Sequence, residues 1–237
     1  MKGVYMMWIL LLAITSAGAQ QVIYDENAEV RSVSNFRSIE VSGTVMLYVS
    51  QGSTHAVAVS AGEAKYNEKI KTEVNNGVLK ISVEGGVWNG FSWANRKLKA
   101  YVSLPSLEKL EVSGASVANI MEGFKAQALN VSVSGASEVK GRVELKTLKL
   151  DVSGASVIRL SGTTESAAID ASGAARVHGY ELKAETVRVN ASGASTVNIT
   201  AIKAFTADAS GGSSVRYEGN ATTGSLNASA GASIKKR

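Results

Sequence analysis

Between residues 113 and 233 the tetrapeptide Ser-Gly-Ala-Ser, or a near copy of it, recurs seven times, with central glycines at 114, 135, 154, 173, 193, 211 and 231. Steps of 18 to 21 residues between those glycines mean stacked copies of one supersecondary unit. Twenty residues leave no room for a strand, a helical crossover and a second strand. The unit must therefore be a closed coil of short strands joined at corners.

Alignment on the glycine shows how each coil is built. Four residues before it stand Leu110, Val131, Leu150, Ile169, Val189 and Ala207, and two before stand Val112, Val133, Val152, Ala171, Ala191 and Ala209. The positions between them are mostly polar, among them Glu111, Ser132, Asp151, Asp170, Asn190 and Asp208. Alternation with period two is a strand with one buried face. A second inner position, four residues after the glycine, reads Ala118, Val139, Ile158, Val177, Val197 and Val215. Parallel stacking at about 4.8 Å makes seven such coils a rod about 34 Å long. The change from valine to alanine after Val152 predicts a core that narrows toward the C-terminus. In the last copy the apolar set becomes Leu226, Ala228 and Ala230, which predicts an irregular final coil.

Residues 33–105 are also strand-rich but lack the clean period. Asn76-Gly77, between Lys71–Val74 and Val78–Val83, reads as a two-residue hairpin turn. Val41-Ser42-Gly43-Thr44 echoes the later corners. A solenoid has open sheet ends that must be covered, so this region is expected to form irregular early coils that cap one end. The runs NFRSIEVSGTVMLYVSQG, IKTEVNNGVLKISVEGG and LKAYVSLPSLEKLEVSGAS, followed by the repeat ladder, resemble the head-GIN domain family of auto-transporter adhesins. The resemblance spans nearly all of residues 33–235. It implies an all-β, right-handed parallel β-helix, export, and an adhesive or surface-binding role, and it carries no catalytic motif.

The chain divides into three parts. Lys2, the apolar stretch from Val4 to Ile14 and the small residues Ala17-Gly18-Ala19 read as a signal peptide cleaved after Ala19. The apolar stretch is too short to span a bilayer, and no later segment is long enough. Residues 20–32 form an extension, and 33–237 a single β-solenoid of about 20 residues per coil, irregular over 33–105 and regular over 106–237. Export to the periplasm, cell surface or medium follows. The sequence has no cysteine and one proline, so disulfides contribute nothing and glycine with small polar residues must make the turns. A net charge of +5 without a basic stripe interleaved with aromatics argues against nucleic acid as a partner.

Three groups of residues are candidates for function. Trp88, Phe91 and Trp93 lie in a glycine-flanked loop, where amphipathic rings can anchor a surface glycan or an extracellular protein; the bland alternative is a plug over the solenoid. The column Asp151, Asp170 and Asp208, with Glu111 and Asn190, stacks carboxylates on one outer face. That is the arrangement a carbohydrate-active β-helix enzyme or a calcium site would use, and it is equally an ordinary solvated face. His55 and His178 are the only histidines and lie in different regions, so neither a metal site nor a hydrolytic triad is expected. The pattern calls for no cofactor. The expected function is non-enzymatic binding, with a polysaccharide lyase or hydrolase as the alternative.

Overall fold

The computed structural model describes residues 25–84 and 97–237. The predicted all-β solenoid is what it shows: about seven turns of about 19 residues. The regular coils are carried by five long bent strands, β9 (Val117–Val133), β10 (Glu138–Val152), β11 (Val157–Ala171), β12 (Arg176–Ala191) and β13 (Thr196–Ala209). Each pairs in parallel with the next, with Val139 on Ile158 and Leu150 on Ile169 in the first full step. The inner columns are buried throughout: Leu110, Val131, Leu150 and Ile169 are at most 1% exposed.

The corners stack backbone on backbone. Ala136, Ala155, Ala174 and Ala194 each donate their N–H to the glycine carbonyl of the coil before, all at 2.8 Å. A Cβ on Gly135 would lie 2.5 Å from the Gly114 oxygen, and Gly135 has φ +75°. Both the close approach and the left-handed backbone therefore demand glycine. The second serine of the corner is buried and turned inward to the backbone. Ser156 donates to the Gly135 carbonyl at 3.3 Å and Ser213 to that of Ala191 at 3.2 Å.

The early coils cap the rod, but they do not stack in chain order. β2 (Ser38–Val41) and β3 (Met46–Gln51) form a coil whose corner is Gly43. Its upper neighbours are β8 (Lys109–Val112) and the start of β9. Its lower neighbours are β6 (Val78–Val83) and β7 (Lys99–Leu104). The chain thus lays down the second coil, returns beneath it, and then climbs past it. Antiparallel strands close the lower end: β5 (Ile70–Asn75) on β6, β4 (Ala56–Ser60) on β7, and β1 (Glu29–Arg31) on β4. The predicted hairpin joins β5 to β6, with Asn76 at φ 50° and Gly77 at φ 76°, the two positive values a type I′ turn needs. The short helical turn Ala64–Lys69 connects β4 to β5.

At the other end, β14 (Ser214–Glu218), β15 (Thr222–Ala228) and β16 (Ser233–Lys236) finish the solenoid. The final coil is irregular, as its shifted apolar phase predicts. A Cβ on Gly231 would lie 3.5 Å from the Gly211 oxygen, and Ala232 bonds back to Ser229 rather than to the coil below. The expected narrowing of the core is offset by two aromatic rings. Ala171, Ala191 and Ala209 are buried, but Phe205 stacks on Tyr217 with centroids 4.2 Å apart and fills the last coils.

Candidate functional site

Of the sequence-predicted candidates, Trp88, Phe91 and Trp93 fall outside the described residues. Their segment joins β6, stacked on β2, to β7, stacked on β3.

The acidic column forms as register predicts, with Asp151 beside Asp170. It is interleaved with amides: Asn190 donates to Asp170 and Asn227 to Asp208, each at 2.7 Å. Those bonds give Asp170 and Asp208 a neutral donor on the next coil, while Asp151 and Asp170 stand side by side. Among the described residues, no three acids or histidines converge where a metal ion would sit. Asp151, Asp170, Asn190 and Asp208 line a shallow groove along this ladder. His55 is structural: its Nε2 lies 2.7 Å from the Phe36 carbonyl oxygen and its ring meets Phe36 edge-on.

The other outer face carries more. Five residues after the corner glycine stand Tyr48, Asn119, Lys140, Arg159, His178 and, two coils on, Arg216. Parallel register places them in one column, from Tyr101 beside Tyr48 at one end to Arg216 beside Lys235 at the other. Counting one residue past the buried inner position would have found this column in the sequence. Lys140, Arg159 and Arg216 point to solvent, and His178 is half-buried. Burial, then the charges of Arg159 and Arg176, hold the His178 imidazole below its ordinary pKa, as a site of positive potential should. Lys140, Arg142, Arg159, His178, Tyr180 and Glu181 line an open groove of about 590 Å³.

Toward the lower end the same face turns apolar and aromatic. Tyr48 and Tyr101 stack with centroids 5.2 Å apart and planes 16° from parallel. With Val30, Ala58, Met121 and Ser103 they line a second groove of about 280 Å³. Asp25 locks this end. Its carboxylate, 10% exposed, accepts from Lys99 Nζ at 2.9 Å, Tyr101 Oη at 2.7 Å and Ser60 Oγ at 2.8 Å. Burial alone would raise its pKa, but the hydrogen bonds from Lys99, Tyr101 and Ser60 outweigh it and bring the value from 3.8 to about 2. Burial and the Asp25 carboxylate together push the Tyr101 phenol up. The phenol therefore stays a donor, and its ring is held fixed under Tyr48.

A fold built this way has solved relatives. A crystallised putative adhesin from Bacteroides fragilis NCTC 9343 superposes with a TM-score of 0.80 at 20% identity, covering 89% of this chain and 96% of its own. A putative adhesin from Parabacteroides distasonis ATCC 8503 gives 0.71 at 18% identity, with coverages of 89% and 96%. A putative lipid binding protein from the same organism gives 0.65 at 19% identity, with coverages of 90% and 98%. Among curated proteins no match is found. At these identities the likeness establishes the solenoid and no ligand. The family assignment rests on the sequence itself: residues 35–221 match the model of the family described as "Putative auto-transporter adhesin, head GIN domain", and the chain belongs to that family.

Proposed function

We propose that this chain is an exported, non-enzymatic binding protein of the adhesin type. It engages an extracellular glycan or protein on the outer face that carries Tyr48 and Tyr101. The observation that carries this reading is the groove at that end. It is concave, apolar and aromatic, rimmed by Ser50, Gln51 and Ser103, and mounted on a rigid sheet, which is the usual make-up of a ligand site. Residues 1–19 supply the export signal. The acidic column is left without a catalytic role, because amides from the next coil take up Asp170 and Asp208.

The test is a glycan and extracellular-protein array probed with the wild-type chain and with Tyr48→Ala. Tyr48 is the substitution of choice because Tyr101 also anchors Asp25. Loss of a binding signal with an unchanged circular-dichroism spectrum supports the reading; an identical array profile refutes the groove. Polysaccharide turnover is assayed beside it, and product release abolished by Asp151→Asn or Asp170→Asn would establish the enzyme instead. The apolar lining of Val30, Ala58 and Met121 also favours a second reading, an acyl chain as ligand, in keeping with the lipid-binding description of one fold relative. A fluorescent fatty acid displaced from wild type and not retained by Met121→Asp tests it.

A further inference from the structure

We infer that the column running from Lys140 to Lys235 binds a linear anionic polysaccharide, laid along the rod from the cationic coils toward the tyrosine groove. This rests on the reading of that face as the binding face and names the chemical class of its ligand.

Much of the positive charge on this face is without an ion-pair partner among the described residues. Arg159 is paired with Glu138 at 3.1 Å and Arg237 with Glu218 at 3.6 Å. Lys140, Arg142, Arg176, Arg216 and Lys235 have no ion pair among the described residues. All five are exposed and lie on one face. Lys140 and Arg159 stand on adjacent coils, as do Arg216 and Lys235, at about 4.8 Å, with His178 and Asn198 between the two pairs. The cations therefore extend along the rod beyond the groove that Lys140, Arg142 and Arg159 line. One exposed cation contributes about 1 kcal/mol or less to a contact. A small anion gains almost nothing here, whereas a repeating polyanion sums many such contacts on one rigid row.

Polysaccharide is favoured over the other polyanions by what surrounds the row. Binding of single-stranded nucleic acid adds free aromatic faces on which bases stack. Here Tyr48 and Tyr101 cover each other, and Arg237 lies over Tyr180 with its guanidinium carbon 4.9 Å from the ring centre. A membrane surface asks for large apolar side chains beside the cations. Of the exposed ones, Val30 lines the tyrosine groove and Met46, Ile202 and Leu226 are scattered over β3, β13 and β15, with none on the β10–β12 coils that carry Lys140, Arg159 and His178. A sulfated or uronate-bearing chain needs only the cations and hydroxyl-bearing rims that are present.

The experiment uses the full chain with heparin (sulfated), polygalacturonate (carboxylated), neutral dextran, duplex DNA and anionic phosphatidylserine vesicles as probes, each across a salt series. Expected is binding to at least one acidic polysaccharide and not to dextran, with affinity falling steeply as salt rises. Lys140→Glu with Arg216→Glu should weaken it by about tenfold or more, and the His178 resonances should move on addition of the polysaccharide. The matched reversal Lys149→Glu with Arg188→Glu, beside the acidic ladder, should leave it unchanged. Absence of binding to both acidic polysaccharides, equal loss in the two double variants, or tighter binding to DNA or vesicles overturns the inference. A chain that binds neutral glycans through Tyr48 but ignores both polyanions would overturn it while leaving the proposed function standing.

Discussion

The corner glycines offer the most direct check on the physics of the scaffold. Gly154 has φ +70°, and a Cβ there would lie 2.6 Å from the Gly135 oxygen. An L-residue in the left-handed region costs about 1–2 kcal/mol. The contact adds more, because its partner is backbone and cannot swing aside. Relief requires the two coils to part at the corner, weakening the bond from Ala155 N–H to the Gly135 carbonyl at 2.8 Å, a further loss of about 1 kcal/mol. Gly154→Ala should therefore destabilise by about 2–4 kcal/mol. Gly77 is the internal control: its φ is +76° and nothing lies within 4 Å of an added Cβ. Gly77→Ala should cost only the conformational part, about 1 kcal/mol. In urea, with a slope of about 2–3 kcal/mol per molar, the midpoint falls by about 1 M for Gly154→Ala and by about 0.4 M for Gly77→Ala. Equal midpoints for the two variants would refute the claim that close backbone stacking, rather than turn conformation alone, selects glycine at the corners.

Asp25, Phe205 and His178 extend the tests to the cap, the core and the cationic face. The Asp25 pKa is lowered from 3.8 to about 2 in the folded chain, so its contribution is full above pH 3.8 and is lost as pH falls through about 2. Asp25→Asn should destabilise by about 1–2 kcal/mol at pH 7, and its melting curve should converge with wild type as the pH approaches 2; a gap that persists to pH 2 removes the electrostatic explanation. Phe205 is fully buried against Tyr217, so Phe205→Ala should cost about 3–5 kcal/mol. Because coils contact only their neighbours, hydrogen exchange should accelerate over β13 to β16 and stay unchanged in β10; uniform acceleration would mean the rod opens as one unit. The charge of Arg159 helps hold His178 below its ordinary value, so Arg159→Ala should raise the His178 pKa in an NMR titration, and a fall would show that field effects do not govern this column.

The coil, its corners and its buried columns were legible because each follows from a local rule. Alternation of period two marked the inner positions, and glycine marked where the backbone must turn at positive φ. The order of the early coils was not legible. Ser38–Val41, Val78–Ile81 and Lys109–Val112 share one alternation, and the middle position of β2 between β6 and β8 satisfies it no better than chain order would. The acidic column was legible as a stack, but the amides of Asn190 and Asn227 that satisfy it depend on side-chain direction. The cationic column was equally legible, one residue beyond the second inner position, where Tyr48, Asn119 and Asn198 dilute the cations Lys140, Arg159 and Arg216. Trp88, Phe91 and Trp93, the site residues chosen from sequence, owe their prominence to composition alone, and composition does not say what a ring touches.

The outer faces differ in how they treat charge, and that difference points to function. A parallel ladder places like positions of successive coils directly beside one another, so each column must either alternate in sign or bear repulsion. Two faces relieve most of it. The acidic row sets Glu40 beside Glu111 and Asp151 beside Asp170, but Lys80 and Lys109 pair with the two glutamates and Asn190 and Asn227 are interposed further on. The face between the two rows pairs Lys125 with Glu144 at 2.8 Å and Lys203 with Glu185 at 2.7 Å. The remaining column sets Lys140 beside Arg159 and Arg216 beside Lys235, with only Arg159 matched by a carboxylate. Nothing in the solenoid requires this, since the glycine ladder and the buried valines hold the coils together whatever the outer residues are. A local rule broken without structural return marks a functional site. The return here comes from outside the chain, from a ligand whose own repeated negative charge removes the repulsion between coils when it binds.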